Sequence, residues 1–357
     1  MKNYLEFDKD DISAFDAISE AQRIAFAPMI FQATICLRDF GILAFLDAQT
    51  KNGATLAEIS QYIELNEYSI SLLLDIGLTN QLVYKKDNRF YLGKVGYFFL
   101  HDEMTRVNTN FTQHVCYEGL FSLKESMEKM KPEGLKVFGE WETIYPYLSQ
   151  LPEPAKTSWF EFDHYYSSSA FKLAIRIISE YNPSLLYDVG GNTGKWALTC
   201  CEYNPDIDVK IIDLPEQIAL MEENIRQTPY HSRISGEGIN MLGNAPLPTQ
   251  ADIWWMSQFL DCFTPEQVVS ILKKIHGAMK DDAKVAIMEL FWDRQPYKIG
   301  AYSLNATSLY FTCMANGNSR FYGFDEFEAL LYTAGFVIER AEDNLGVGHS
   351  LLICTKA

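Results

Sequence analysis

The run Leu185-Leu186-Tyr187-Asp188-Val189-Gly190-Gly191-Asn192-Thr193-Gly194-Lys195 restricts what this chain can fold into more than any other stretch. Residues 185–189 form a short apolar segment with an acid near its end, and a helical pattern resumes over 196–203. The glycines therefore lie in a strand-to-helix turn. Gly190, Gly191 and Gly194 carry no Cβ where the backbone turns tightly, so a ligand can approach the main chain closely. Their order is Gly-Gly-x-x-Gly, distinct from the Gly-x-Gly-x-x-Gly spacing that seats a pyrophosphate on a helix N-terminus.

A second apolar run, Lys210-Ile211-Ile212-Asp213-Leu214-Pro215, ends in a carboxylate 23 residues beyond Gly190. At the end of a neighbouring parallel strand, such an acid accepts hydrogen bonds from the two ribose hydroxyls of an adenosine. Further strands are expected at 251–256 and 284–289, with a terminal pair at 336–339 and 350–354. Strands alternating with helices imply an α/β fold built on a largely parallel, doubly wound sheet. Ligands of such sheets sit beyond the C-terminal strand ends, at the switch in strand order. Asp188, Asp213, Ser257 and Glu289 all fall at or just past strand ends and can share one crevice.

The preceding residues read differently. Apolar positions recur at helical spacing over 12–45, with Pro28 interrupting, and Thr55 with Glu58 forms a reciprocal capping pattern. A helix over 67–79 leads to a small hairpin, 82–84 and 89–92, turned at Asp87-Asn88. Helix, helix, hairpin is the order of a winged helix, but residues 61–80 contain no Lys or Arg while Glu64, Glu67 and Asp75 are present. A recognition helix without a basic residue gains little from phosphates or guanine edges. The net charge of −17 over 357 residues also argues against a nucleic-acid partner.

No segment approaches the length of a membrane span, and the opening residues show no basic start followed by an apolar stretch. Seven cysteines without Cys-x-x-Cys spacing fit reduced thiols, so a cytoplasmic protein is expected. No metal is expected, because no His, Asp and Glu cluster has ligand spacing around the crevice. Between 100 and 180 the chain reads as helical, with breaks at Pro132-Glu133-Gly134 and Leu151-Pro152-Glu153-Pro154.

Asp188-Val189-Gly190-Gly191-Asn192-Thr193-Gly194 followed by Asp213-Leu214-Pro215 resembles the S-adenosylmethionine site of the plant-type and bacterial small-molecule O-methyltransferases. The resemblance implies a Rossmann-like class I methyltransferase core over 155–357, a winged-helix-like dimerisation region over 1–100 and a helical connector over 101–154. It implies S-adenosylmethionine as cofactor and a homodimer, with Phe26, Met29, Phe31 and Phe40 buried against a second subunit; an intrachain core is the alternative. Cofactor contacts carried over are Asp188, Gly190, Gly191, Asn192, Thr193, Gly194, Asp213, Leu214, Gly238, Asn240, Ser257 and Gln258. Two of these depart from the family: Asn240, or a backbone group, stands in for an acid that reaches the adenine amino group, and Ser257 for a frequent lysine.

At the acceptor end, Phe259-Leu260-Asp261-Cys262-Phe263-Thr264-Pro265-Glu266 resembles the family's Leu-His-Asp-Trp-Ser-Asp-Glu segment, which places the family's base histidine on Asp261. A family glutamate 28 residues later falls on Glu289, and Asn316-Gly317-Asn318-Ser319-Arg320 puts Ser319 in place of a second one. Asp261 then has three readings: a base of raised pKa, a group that positions an acceptor, or the mark of a relative with diverted chemistry. His164 is a candidate acceptor contact or an exposed polar residue. Phe259, Tyr310 and Met314, with Tyr302, Leu309, Phe311 and Phe321, lie on segments that close over the acceptor in similar enzymes; a packed helix is the plain alternative. The implied reaction is methyl transfer to the hydroxyl of a small aromatic acceptor, with N- or C-methylation, or no transfer, as the alternative.

Overall fold

The computed structural model describes Leu5 and residues 7–357, the Ser168 side chain excepted. It separates into two compact units, Asp8–Thr109 and Asn110–Ala357, with Leu5 and Phe7 belonging to the second.

In the first unit α1 (Ala14–Asp39) and α2 (Ile42–Gln49) precede the short pair α3 (Leu56–Tyr62) and α4 (Glu67–Thr79). Side chains fix where the helices start. Ser13 caps α1, Asn66 caps α4, and Thr55 and Glu58 exchange bonds at α3, where the Thr55 amide meets Glu58 Oε2 at 2.7 Å. Strands β1 (Val83–Lys86) and β2 (Arg89–Leu92) form the hairpin, and α5 (Lys94–His101) follows. Asp87 and Asn88 both adopt positive φ, 50° and 60°, which matches the turn to the strand twist. Leu37, Ile42, Leu43, Leu46, Ile70 and Leu74 fill the core. Phe26, Met29 and Phe40 stay outside it, 50%, 69% and 46% exposed, and Phe31 is half-buried.

The second unit begins inside α6 (Glu103–Phe111) and continues through α7 (Leu123–Lys129) and the long α8 (Ala155–Ser179). Then come β3 (Leu185–Val189), α9 (Lys195–Tyr203), β4 (Asp208–Asp213), α10 (Pro215–Ile225), β5 (Ile234–Gly238) and β6 (Ile253–Ser257). The chain ends with α11 (Pro265–Ala278), β7 (Lys284–Glu289), α12 (Lys298–Tyr310), α13 (Phe324–Thr333), β8 (Phe336–Leu345) and β9 (His349–Lys356). The strands form one sheet in the order β5-β4-β3-β6-β7-β9-β8, parallel except for β9, which runs against both of its neighbours. This is the doubly wound α/β sheet expected from the sequence.

Alternate residues of each central strand enter opposite cores. Trp254 and Met256 join one cluster and Ile253 and Trp255 the other, so β6 is apolar on both faces. Trp255 stacks on Trp196 of α9 with ring centroids 3.9 Å apart, which fixes the helix that follows the glycine turn against the sheet. A third cluster of Phe111, Leu135, Leu148, Tyr310, Phe311 and Met314 joins the helical segments to α12.

Two departures from the sequence expectation have physical causes. The strand β5 was not anticipated, because Ile234-Ser235-Gly236-Glu237-Gly238 has neither an apolar run nor clean alternation. Gly236 is needed there: a Cβ would lie 2.7 Å from both Ile218 and Met221 of α10. The 101–154 connector is divided, since from Asn110 onward it packs into the second unit through Leu135, Ile144, Leu148 and Leu151. Among the described residues no single helix is long and apolar enough to cross a membrane; α1 and α2, bent by 58°, pass such a test only as a pair.

Helix α11 follows the acceptor-end turn and starts on a second capping box: the Gln267 amide donates to Thr264 Oγ1 at 3.2 Å and the Thr264 amide to Gln267 Oε1 at 3.0 Å. Thr264→Ala should therefore lower the stability of this unit by about 1 kcal/mol in chemical denaturation, and Thr264→Ser should restore most of it.

Candidate active site

β3 hands the chain to α9 through residues 190–194, where Gly190, Asn192 and Gly194 have φ of 76°, 47° and 83°. The Gly190 amide bonds the Ile212 carbonyl at 2.8 Å, so the turn is tied to the end of β4. There is no room for side chains. A Cβ on Gly190 would lie 2.3 Å from the Phe259 ring, and one on Gly191 would lie 2.6 Å from Asp188 Oδ2.

Asp213, the last residue of β4, receives the Asn192 amide on Oδ2 at 2.9 Å and the Leu214 amide on Oδ1 at 2.7 Å. Burial pushes its carboxyl up to about 6 against the pull of those amides. Asp188 is more enclosed still, raised well above the ordinary range by burial and then by the charge of Asp213. Among the described residues, Asp188 Oδ2, Asn192 Oδ1 and Ser257 Oγ are buried without a hydrogen-bond partner. A buried polar atom left unpaired is costly, so three of them at the ends of β3 and β6 fit a site completed by a polar ligand. Thr193 is half-buried in the same turn, and Gly238 ends β5 with Pro215 close above it. Asn240 is exposed, and its Oδ1 accepts from the Leu242 amide at 2.9 Å, closing its own loop.

Gln258 has positive φ, 47°, at the end of β6; its amide donates to Met288 O at 3.0 Å and its Oε1 lies 3.2 Å from His349 Nε2. Burial lowers His349 to about 4, so this histidine is neutral and serves as a fixed partner of Gln258.

The acceptor-end turn is built on Glu289, whose Oε1 accepts from the amides of Phe259 at 3.1 Å and Leu260 at 2.9 Å. Its Oε2 is buried without a hydrogen-bond partner among the described residues. Asp261 sits on the 3-10 turn Leu260–Cys262, 4% exposed. Burial raises its carboxyl to about 7; the Cys262 thiol pulls it down and the charge of Asp163 pushes it further up. Glu289 is raised well above its ordinary range by burial and by Asp261. Two enclosed carboxyls this close resist ionising together, so the pair retains a proton near neutrality.

Helix α8 supplies groups that the sequence reading did not assign. Trp159 Nε1 donates to the Tyr310 hydroxyl at 2.7 Å, and Asp163 lies one turn further along the same face. Asp163 is raised to about 6 by burial, with Lys195 at the start of α9 opposing the rise. It is this aspartate, rather than the neighbouring His164, whose charge acts on Asp261. His164 is lowered by burial and then by Lys195. An acid four residues after a tryptophan, in a helix otherwise rich in aromatics, was the available signal.

Several expected acceptor contacts are placed otherwise. Met314 is fully buried, with its sulfur wedged where a Cβ on Gly119 would lie 2.1 Å away, so it is a core residue of the helical cluster. Tyr302 is 69% exposed. Leu309, Ser319 and Phe321 line a groove of about 440 Å³ that includes none of the carboxylates described above. Ser319 does not flank Asp261 as a second glutamate would; its Oγ donates to Asn316 Oδ1 at 2.9 Å, and Asn316 Nδ2 in turn donates to the Cys262 carbonyl at 2.6 Å. Phe259 lies on Gly190 and meets Phe263 edge-on at 4.9 Å.

The glycine turn, its paired acid and the turn after β6 all lie within residues 168–337, which match the O-methyltransferase domain. That segment is similar in sequence to the O-methyltransferase domain family. Residues 19–90 match a Dimerisation2-like domain. The L-tyrosine C(3)-methyltransferase of Streptomyces lavendulae is 24% identical over 340 residues, covering 93% of this chain and 91% of that protein. Among solved structures, the apo S-adenosylmethionine-dependent methyltransferase SibL superposes with a TM-score of 0.74 at 18% identity, covering 95% of this chain and 99% of that one. The mitomycin 7-O-methyltransferase MmcR follows at 0.71 and 16% identity, covering 96% and 98%. At such identities the structural likeness establishes a shared fold.

The raised carboxyl of Asp261 has a consequence for stability. An acid whose folded pKa exceeds its unfolded value of about 3.9 holds more protons when folded, so its contribution falls as pH rises towards 7 and levels off above it. Asp261→Asn should therefore raise the melting temperature relative to the wild type at about pH 8, with the gain vanishing near pH 4, as read by thermal denaturation across pH.

Proposed function

We propose that this methyltransferase transfers the methyl group of S-adenosylmethionine to a small phenol, with Asp261 taking the phenolic proton. The observation that carries this reading is Asp261 itself, buried on a turn held by Glu289 and raised to about 7. The cofactor, when bound, supplies an electrophilic methyl group on a sulfonium and is left as S-adenosylhomocysteine. Asp213 would take the ribose hydroxyls, and Asp188 Oδ2, Asn192 Oδ1 and Ser257 Oγ are the unpaired atoms that fit its remaining polar groups. Two buried acids also suit a cationic ligand, which would favour their ionised forms.

An exposed aspartate is too weak a base for an ordinary phenol, but a carboxyl near 7 lies much closer to the optimum for proton transfer at neutral pH. As the new oxygen–carbon bond forms and the carbon–sulfur bond breaks, the phenolic proton passes to Asp261 and from there to solvent. The phenol supplies the electron pair for the new bond. Asp163 and the Asp261–Glu289 pair, which shares a proton, place negative charge at this end against Lys195, so neutral or cationic phenols are favoured over those bearing only a carboxylate.

A second reading has specific support in the C(3)-methyltransferase relative. Removing a phenolic proton also enriches the ortho ring carbon, so the same base would serve carbon methylation, the ring proton then leaving as the ring becomes aromatic again and the oxygen regaining its proton, with one proton released in all. The exposed Phe26, Met29 and Phe40, within the dimerisation-type match, support a homodimer.

The test is mass spectrometry of a panel of phenols, catechols and amines incubated with the protein and S-adenosylmethionine. One added methyl, with S-adenosylhomocysteine formed, is expected for neutral phenols, and fragmentation separates oxygen from ring-carbon products. Cofactor binding without product from any acceptor would overturn the reading. Asp261→Asn should lower kcat/KM by about 10²–10³-fold for a simple phenol and much less for a nitrophenol, which ionises without help.

A further inference from the structure

We propose that the Cys262 thiol is the positioning group for Asp261, holding one carboxylate oxygen so that the other is left to take the acceptor's proton. This rests on the reading of Asp261 as the base.

Cys262 Sγ donates to Asp261 Oδ1 at 3.3 Å. Both side chains belong to the 3-10 turn of residues 260–262, so their contact depends on how that turn is held. That geometry is clamped from both ends. On the N-terminal side, Glu289 Oε1 holds the amides of Phe259 and Leu260 at 3.1 and 2.9 Å. On the C-terminal side, Asn316 Nδ2 holds the Cys262 carbonyl at 2.6 Å, and the Tyr322 hydroxyl holds the Phe263 carbonyl at 2.5 Å. Asn316 is itself fixed, its Oδ1 accepting from Ser319 Oγ at 2.9 Å and from the Asn318 amide at 3.2 Å. With the backbone held on either side, the thiol acts on the carboxylate itself.

The thiol stays protonated. Burial raises it well above its ordinary range, and the charge of Asp261 adds to the rise. A thiol is a weak donor, so it can orient Oδ1 without drawing the carboxyl far down, as a hydroxyl would. The other ionisable groups around Asp261 come from separate elements: Glu289 from β7, Asp163 from α8, Tyr322 from the segment before α13, and Tyr145 from the 3-10 turn Tyr145–Gln150, which also lies beside Cys262. Substituting Cys262 leaves all of these in place.

The experiment is a set of pH–rate profiles for one phenol, with kcat and KM resolved, on the full chain as wild type, Cys262→Ser, Cys262→Ala and Asp261→Asn. The wild type should show an acid limb, with the rate rising as Asp261 loses its proton. Cys262→Ser, a stronger donor, should move that limb down by about half to one pH unit. Cys262→Ala, with no donor, should move it up by a similar amount and lower kcat several-fold with little change in KM. Limbs unmoved in both variants, or a uniform loss of rate at every pH, would reduce Cys262 to packing and overturn this inference while leaving the base intact. Asp261→Asn retaining the limb and the rate would instead overturn the base reading, and this inference with it. Should Cys262→Ala fail to fold, the direction of the Cys262→Ser shift decides alone.

Discussion

The pairing of β3 with β4 along one edge and with β6 along the other places Asp188, the glycine turn, Asp213 and Ser257 at the candidate site. Because the chain leaves β3 in one direction across the sheet and returns to its opposite side only after β5, the loops at the C-terminal ends of β3 and β6 diverge and leave a crevice between them. Asp213, Gly238, Ser257 and Glu289 are each the last residue of their strands, and Asp188 is the last but one of β3. A slip of one residue in the β3–β6 register would turn Trp255 away from Trp196 and send the acids to the wrong faces. The apolar interdigitation below the site therefore sets the polar geometry above it.

That geometry is held at a cost. Asp188, Asp261 and Glu289 are all nearly sealed from water, and among the described residues none forms an ion pair with a lysine or arginine. Backbone amides satisfy part of the demand at Glu289, and the rest is met by holding protons that an exposed carboxyl would release. Strain of this kind is tolerated where the surrounding structure over-determines it, and the stacked tryptophans, the clamped turn and the capped α11 supply that constraint.

The architecture was legible in the sequence where periodicity is strong and two faces are buried. The runs at 185–189, 251–256 and 284–289 announce central strands, and the capping pair Thr55 and Glu58 appears as such. An edge strand such as β5 has no such signature, since its glycines answer to the side chains of α10 rather than to strand propensity. The carboxylates at strand ends were readable because topology fixes their place. The side chains of α8, α12 and the segment after it were not, because which face of a helix meets a crevice depends on packing angles that spacing alone leaves open. Asp163 and His164 are neighbours in sequence, yet the charge of the first acts on Asp261, while the second is lowered by burial and then by Lys195. Ser319 fell in register with a family glutamate, but its short side chain reaches Asn316 and contributes to the backbone clamp instead.

On the proposed reaction, an aspartate in this position changes the charge balance of the step compared with a histidine. A neutral histidine that takes the proton becomes a cation just as the sulfonium charge is lost, so positive charge is moved from one place in the site to another. An ionised Asp261 becomes neutral in the same step, so two opposite charges disappear together. In a poorly solvated cavity the loss of an opposite pair is favoured by the same burial that raised the carboxyl, since both charges were expensive to keep there. The cost falls earlier, on ionising Asp261 beside Glu289 and Asp163 before the acceptor arrives. A bound cation relieves that cost most, so cofactor binding and readiness of the base are coupled: each favours the other through their mutual attraction.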